Sequence, residues 1–242
     1  WFDFRFERKN MRSGIFYDSA NLIDFKKWFD TRVINGATTN PLILQKEGIL
    51  NIPEHIKKMI EICGKDFPIS IEIPDSTWSR EEMIKLGIAY SNMFPRNAVI
   101  KIPMDARDPQ KGFEVIYELS RKGVMTNATL GLTTGQLIGA MEAGARYVSL
   151  FWGRCEEAGG IGAEKTLITV LKYREVHKLN SKNIIGSIRN VIQIDRAFEL
   201  GADIVTIPPK LIEEWMFTQR GVETAEQFNK AYWDIKDKVV LI

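Results

Sequence analysis

The sequence predicts an α/β protein, a single (β/α)8 TIM barrel followed by a C-terminal amphipathic helix. Three observations carry that expectation. From Gly14 onward, short apolar runs alternate with helical-period segments in about eight βα units. Two stretches, Glu142-Ala143-Gly144-Ala145-Arg146-Tyr147-Val148 and Glu199-Leu200-Gly201-Ala202-Asp203-Ile204-Val205, each pass from a helix end through Gly and Ala into a strand. The C-terminal ends of the strands, finally, carry polar residues on one parity and apolar residues on the other.

Strands are predicted at Gly14–Asp18, Ala37–Asn40, Ile69–Ile73, Ala98–Pro103, Val124–Thr129, Tyr147–Trp152, Ile184–Ile188 and Asp203–Ile207. Between them, Leu22–Phe29 has apolar residues at helical spacing, and Ser79–Met93 opens on a Ser-Arg-Glu-Glu start that resembles a capping box. Further helices are predicted over Gln110–Arg121, Thr133–Ala143, Ala163–His177 and Val191–Leu200, with Gly123, Gly144 and Gly201 as stops. The tail Thr224–Lys238 reads as a last amphipathic helix with Phe228, Tyr232 and Ile235 on one side. That face packs on its own barrel or on a neighbour; the pattern fits both. Residues 11–242 form one domain. Residues 1–10, where aromatic and charged residues alternate ahead of Met11, read as an extension or an added remnant outside it, with an edge strand as the alternative.

Composition narrows the function classes. The chain has 242 residues, 45% hydrophobic and 26% charged, which suits one barrel-sized globular domain. Lys+Arg 33 against Asp+Glu 31 leaves a net charge of +2, too balanced for nucleic acid or an anionic membrane as partner. Cys63 and Cys155 form no CxxC, so no disulfide framework is expected and a reducing cytoplasm is the natural home. No apolar run approaches the roughly 20 residues of a membrane span.

The pivotal stretch is Ala98-Val99-Ile100-Lys101-Ile102-Pro103. A lysine inside such a run is costly, because burial disfavours the ammonium. Its functional reading is a nucleophilic amine that forms a Schiff base with a carbonyl substrate; the alternative is an edge-strand lysine facing water. Strand parity favours the first. Residues two apart share a face, so Thr38 pairs with Asn40, Asn127 with Thr129, Ser149 with Phe151 and Ser187 with Arg189. Asp18 ends its strand, while Glu72 and Lys101 sit late in theirs. Polar groups that converge at the C-terminal strand ends are where a barrel of this kind keeps its reaction site.

The predicted interior holds a lysine, two carboxylates, amides and hydroxyls. It has no His pair or Cys cluster, so neither a metal nor a cofactor is expected. His55 and His177 fall on predicted helices and read as surface residues. An amine with two acids suits carbinolamine formation, dehydration and proton transfer at a sugar hydroxyl. Arg154 and Arg189 would offer guanidiniums to an anionic end such as phosphate. Gly159-Gly160-Ile161-Gly162 is either a backbone anion site at a helix start or a plain flexible loop, and it lacks the surroundings of a dinucleotide fingerprint.

Several segments resemble, in order and spacing, the transaldolase family, which includes short transaldolases and fructose-6-phosphate aldolase-like enzymes. They are Tyr17-Asp18-Ser19-Ala20-Asn21, Gly36-Ala37-Thr38-Thr39-Asn40-Pro41, Ile100-Lys101-Ile102-Pro103, Thr126-Asn127-Ala128-Thr129-Leu130, Tyr147-Val148-Ser149-Leu150-Phe151-Trp152-Gly153-Arg154 and Gly186-Ser187-Ile188-Arg189-Asn190. The resemblance implies a barrel with metal-free class I aldolase chemistry on sugar phosphates. It also implies a ring-shaped homo-oligomer, a pentamer or decamer. Position by position, Lys101 resembles the Schiff-base lysine and Asp18 the acid that handles the C4 hydroxyl proton. Glu72 and Thr129 resemble the pair that holds the water for dehydration and hydrolysis. Asn40, Asn127 and Ser149 resemble groups around the dihydroxyacetone portion, with Thr38 beside them. Arg154, Ser187 and Arg189 resemble the phosphate grip.

Leu150 and Trp152 depart from the family pattern, which has Pro and a small aliphatic residue there, so the shape of the donor pocket is open at this point. Glu72 and Phe151 resemble the transaldolases, since the aldolase subgroup tends to carry Gln and Tyr. The resemblance therefore implies transfer of a dihydroxyacetone unit from sedoheptulose 7-phosphate or fructose 6-phosphate to glyceraldehyde 3-phosphate or erythrose 4-phosphate. A lyase that releases free dihydroxyacetone is the alternative, and a non-catalytic phosphosugar-binding barrel a third reading.

Overall fold

The computed structural model describes residues 13–240, so the expectation for residues 1–10 lies outside the described residues. Parallel strands β1 (Gly14–Asp18), β2 (Ile34–Thr38), β3 (Ile69–Glu72), β4 (Ala98–Pro103), β5 (Thr126–Gly131), β6 (Tyr147–Phe151), β7 (Lys182–Gly186) and β8 (Ile204–Ile207) close into a barrel in sequence order. Helices lie between them: α1 (Leu22–Asp30), α2 (Pro41–Lys46), α3 (Ile52–Cys63), α4 (Arg80–Met93), α5 (Pro109–Arg121), α6 (Thr134–Glu142), α7 (Trp152–Ala158), α8 (Gly162–Val176) and α9 (Val191–Glu199). Two more follow β8, α10 (Pro209–Met216) and α11 (Gln219–Ile235). This is the (β/α)8 architecture.

Alternation along each strand sorts the core. Tyr17, Ala37, Ile71, Ile100, Ala128, Val148, Ile185 and Val205 join the helices in the main cluster, while Phe16, Val99, Tyr147, Ile184 and Ile204 form a separate one within the barrel. Burying each large apolar side chain contributes roughly 1.5–3 kcal/mol. Gly36 belongs to this inner packing. A Cβ there would lie 2.5 Å from the Phe16 ring, so the missing side chain is what lets that ring cross the barrel floor. The Phe16 and Tyr147 rings meet there at 6.4 Å.

The helix starts follow local chemistry. Asn21, Asn40, Asn51, Asp108 and Asn190 each accept backbone N–H groups as N-caps, and Ser79 with Glu82 and Thr133 with Gln136 form capping boxes. Two predicted strands shift for related reasons. Asn40 caps α2 with Pro41 at its first turn, so β2 runs over Ile34–Thr38 instead of ending at Asn40. β7 starts at Lys182 and stops at Gly186, and Ser187 turns into the left-handed region (φ 56°). α7, with Trp152 as its first residue, shortens the predicted β6. α11 starts earlier than predicted and buries none of its residues.

Candidate active site

The strand pairings stack inward-facing residues in layers from alternate strands. Gly36, Val99, Tyr147 and Ile204 make the floor. Phe16, Ser70, Asn127 and Ile184 lie above it. Next come Thr38, Lys101, Ser149 and Thr206, from the even-numbered strands, and above those Asp18, Glu72, Thr129 and Gly186 from the odd ones. The interior thus changes from apolar to polar toward the C-terminal end.

Lys101 points inward and is only 3% exposed. Its Nζ donates to the Thr39 carbonyl oxygen at 2.9 Å and lies 2.8 Å from Glu72 Oε2. The second contact is an ion pair off the direction of a hydrogen bond, so that Oε2 has no directed donor among the described residues. Such a pair needs close geometry, because removing two charges from water costs several kcal/mol per ion.

Asp18 shares the pocket with Lys101. Burial pushes its carboxyl above the ordinary range; the Thr38 hydroxyl and the Lys101 charge pull the other way, and the Glu72 charge adds to the rise. Thr38 Oγ1 donates to Asp18 Oδ1 at 2.7 Å and is in turn in short contact with Thr206 Oγ1. Ser149 donates to Asn127 Oδ1 at 2.8 Å, and Asn127 Nδ2 donates to Ser70 Oγ at 3.4 Å. Thr129 is fully buried, with no hydrogen-bond partner for its Oγ1 among the described residues.

At the mouth, Asn40, Phe151, Arg154, Ser187 and Arg189 line the same pocket. Asn40 uses its Oδ1 as the α2 cap, at 2.9 Å from the Ile43 N–H. Gly153 donates its N–H to the Ser187 carbonyl at 3.0 Å, and a Cβ at Gly153 would stand 2.6 Å from that oxygen and 2.7 Å from Arg189 Nε. This close approach brings the start of α7, with Arg154, against the loop after β7. Arg189 is tied loosely to Glu157 at 3.2 Å; both are largely exposed. Arg154 makes no ion pair among the described residues.

Some expectations change. Asn40, Ser187 and Arg189 lie on loops, so strand alternation does not orient them. Asn127, Glu72 and Thr129 do not line the open pocket. Leu150 and Trp152 are buried in the core outside the barrel, behind the pocket wall. The two histidines differ: His177 is exposed and stacks on Tyr173 at 4.1 Å, whereas His55 is half-buried on α3, with burial holding its pKa below the ordinary value. Gly159-Gly160-Ile161 is a loop that leads into α8 at Gly162, and that helix start is already capped, since Glu156 Oε1 accepts the Ala163 N–H at 2.8 Å. Among the described residues, no group of three or more His, Cys, Asp or Glu side chains is arranged as a metal ion would need.

This arrangement can be set beside known proteins. The family model described as "Transaldolase/Fructose-6-phosphate aldolase" matches residues 15–239. The chain belongs to that family. Its relatives include a "Probable transaldolase" of Agathobacter rectalis, 38% identical over 211 residues, covering 86% of this chain and 93% of the relative. A "Probable transaldolase" of Clostridioides difficile is 35% identical over 212 residues, with 86% and 93% covered. One of Clostridium kluyveri is 34% identical over 229 residues, with 93% and 99% covered. The match within the transaldolase/fructose-6-phosphate aldolase family thus runs the length of the barrel.

Sequence reasoning missed two hydroxyls inside this family member's barrel, Ser70 and Thr206. Both interrupt apolar strands at inward-facing positions. That parity was the available signal, but a lone small hydroxyl reads as strand filler until the layers are known.

Proposed function

We propose that the protein is a Schiff-base transaldolase that transfers a dihydroxyacetone unit from sedoheptulose 7-phosphate or fructose 6-phosphate to glyceraldehyde 3-phosphate or erythrose 4-phosphate. One observation carries the reading: a buried lysine amine, held between a carboxylate and a backbone carbonyl, faces the same pocket as a second carboxyl of raised pKa. Binding alone has no use for a buried amine with this company.

The steps follow. The Lys101 amine adds to the ketose carbonyl, and the carbinolamine loses water to give the imine. Glu72 and Thr129 serve that water on the way out and again in hydrolysis. Asp18, a stronger base for its raised pKa, takes the C4 hydroxyl proton. The C3–C4 bond then breaks, its electrons pass to the imine nitrogen, and an aldose leaves. The three-carbon enamine on Lys101 attacks the acceptor aldehyde, and Asp18 returns the proton to the new alkoxide. Asn40 and Ser149 hold the dihydroxyacetone portion, with Asn127 behind them orienting Ser149, and Arg154, Ser187 and Arg189 hold the phosphate. Phe151 offers the enamine no hydroxyl, so the enamine survives to meet an acceptor.

The test supplies fructose 6-phosphate with and without erythrose 4-phosphate. Turnover that depends on the acceptor is expected. Release of free dihydroxyacetone without acceptor, at the rate of transfer, would make the protein a lyase instead.

We infer also that it works as a homo-oligomer. On α11, Phe228, Tyr232 and Ile235 recur at helical spacing and stay exposed, with Trp233 beside them. A second copy that covers this face is the reading. Light scattering should report several chains per particle, and a monomer at micromolar concentration would contradict it.

A further inference from the structure

The layer that holds Lys101 contains two polar groups that the reaction above does not use, Thr38 and Thr206. Thr206 is 5% exposed and lines the pocket. It lies on β8, and Thr38 lies on β2, so the two threonines flank β1, which carries Asp18 one layer higher. The Thr206 methyl is directed at Gly186, where a Cβ would meet Cγ2 at 3.4 Å. Its hydroxyl is in short contact with Thr38 Oγ1. A β-branched side chain on a strand has few rotamers, and this one is fixed by a neighbour on each side.

Proton counting gives the contact a direction. A threonine hydroxyl has one hydrogen to donate. Thr38 gives its own to Asp18 Oδ1, so with Asp18 ionised the hydrogen between the two threonines comes from Thr206. The chain then reads Thr206 O–H to Thr38 Oγ1, and Thr38 O–H to Asp18 Oδ1. Each link polarises the next, which strengthens donation to the carboxylate. Oδ1 remains an acceptor throughout, and the proton taken from substrate goes to Oδ2.

We propose that Thr206 is a positioning residue for the carbon–carbon step, acting through Thr38 to orient Asp18 with Oδ2 as the oxygen that exchanges the substrate proton. The assignment rests on the Schiff-base reading and adds to it a residue that touches neither the imine nor the phosphate. It separates two kinds of damage. Loss of the relay harms bond cleavage and formation, and leaves capture of the ketose by Lys101 intact.

The experiment compares wild type, Thr206→Val and Thr206→Ser as full-length proteins, each checked for a cooperative melt. Borohydride trapping with fructose 6-phosphate reads imine formation, and transfer to erythrose 4-phosphate reads the whole cycle across pH. Thr206→Val is expected to trap at the wild-type rate while kcat falls about tenfold, in line with the loss of one hydrogen bond from a chain that ends on a carboxylate. The acid limb of its pH profile should move to higher pH, and Thr206→Ser should restore both. Wild-type kcat and pH profile in Thr206→Val would overturn the assignment. So would trapping that falls in step with turnover, or a serine that fails to rescue. Wild-type protein that traps nothing would instead sink the Schiff-base reading and this assignment with it.

Discussion

Lys101 Nζ and Glu72 Oε2 stand 2.8 Å apart on adjacent strands, their side chains only 4% and 9% exposed. Neither charge suits this interior alone. Removing one partner of a buried pair leaves the other uncompensated, at a cost of up to about 3–5 kcal/mol, whereas removing both is often close to neutral. Lys101→Met and Glu72→Gln should each lower stability in urea melts. The double variant should fall by less than the sum, with a coupling of about 1–3 kcal/mol. Strict additivity would mean that the pair is not formed in solution.

Lys101→Ala should abolish turnover, by on the order of a thousandfold or more, while circular dichroism stays near native and the melt, though lowered by the unpaired Glu72, stays cooperative. The side chain spans the interior without belonging to either apolar cluster. Gross loss of secondary structure would assign the lysine to the fold instead.

Asp18 offers a pH test with a definite sign. Burial raises its folded pKa above the unfolded value, so the folded state binds the extra proton and stability falls as pH rises between the two values. At neutral pH the carboxylate therefore destabilises the barrel. Asp18→Asn should melt higher than wild type at pH 7, with the gap closing as pH drops below the unfolded value. The same variant should slow carbon–carbon cleavage by about 10²–10⁴-fold. A variant less stable than wild type at pH 7 would show that the carboxylate is net stabilising.

Gly153 tests the mouth. An alanine there places a Cβ 2.6 Å from the Ser187 carbonyl and 2.7 Å from Arg189 Nε, so the loop after β7 must give way. Gly153→Ala is expected to raise KM for fructose 6-phosphate about tenfold or more with kcat less affected, as loss of uniform binding does. An unchanged KM would remove this loop from the anion grip.

Legibility in the sequence tracked how local the cause was. β4 is readable to its ends because its β-branched residues Val99, Ile100 and Ile102, interrupted only by Lys101, are bounded by Asn97 and the residues after Pro103. The start of β2, Ile34-Asn35-Gly36, is not legible in the sequence, because the glycine makes sense only once the Phe16 ring, a strand away, fills its place. Asn40 looked like a strand end, yet an Asn-Pro pair is equally a cap and first turn, and here it is that. Alternation placed Asp18, Thr38, Glu72, Lys101, Asn127 and Ser149 inside the barrel, but it could not reach Ser187 and Arg189, which stand beyond a left-handed turn. The Thr206 contact depends on barrel closure, which brings β8 beside β1. No local pattern contains it.

Every step of the proposed cycle depends on covalent capture of a ketose by the buried Lys101 amine. Incubation with fructose 6-phosphate and borohydride, followed by peptide mass spectrometry, tests it most directly. A reduced three-carbon adduct confined to the peptide that contains Lys101, and absent from Lys101→Ala, is the predicted result. No adduct, or one spread over surface lysines and undiminished in that variant, would contradict it.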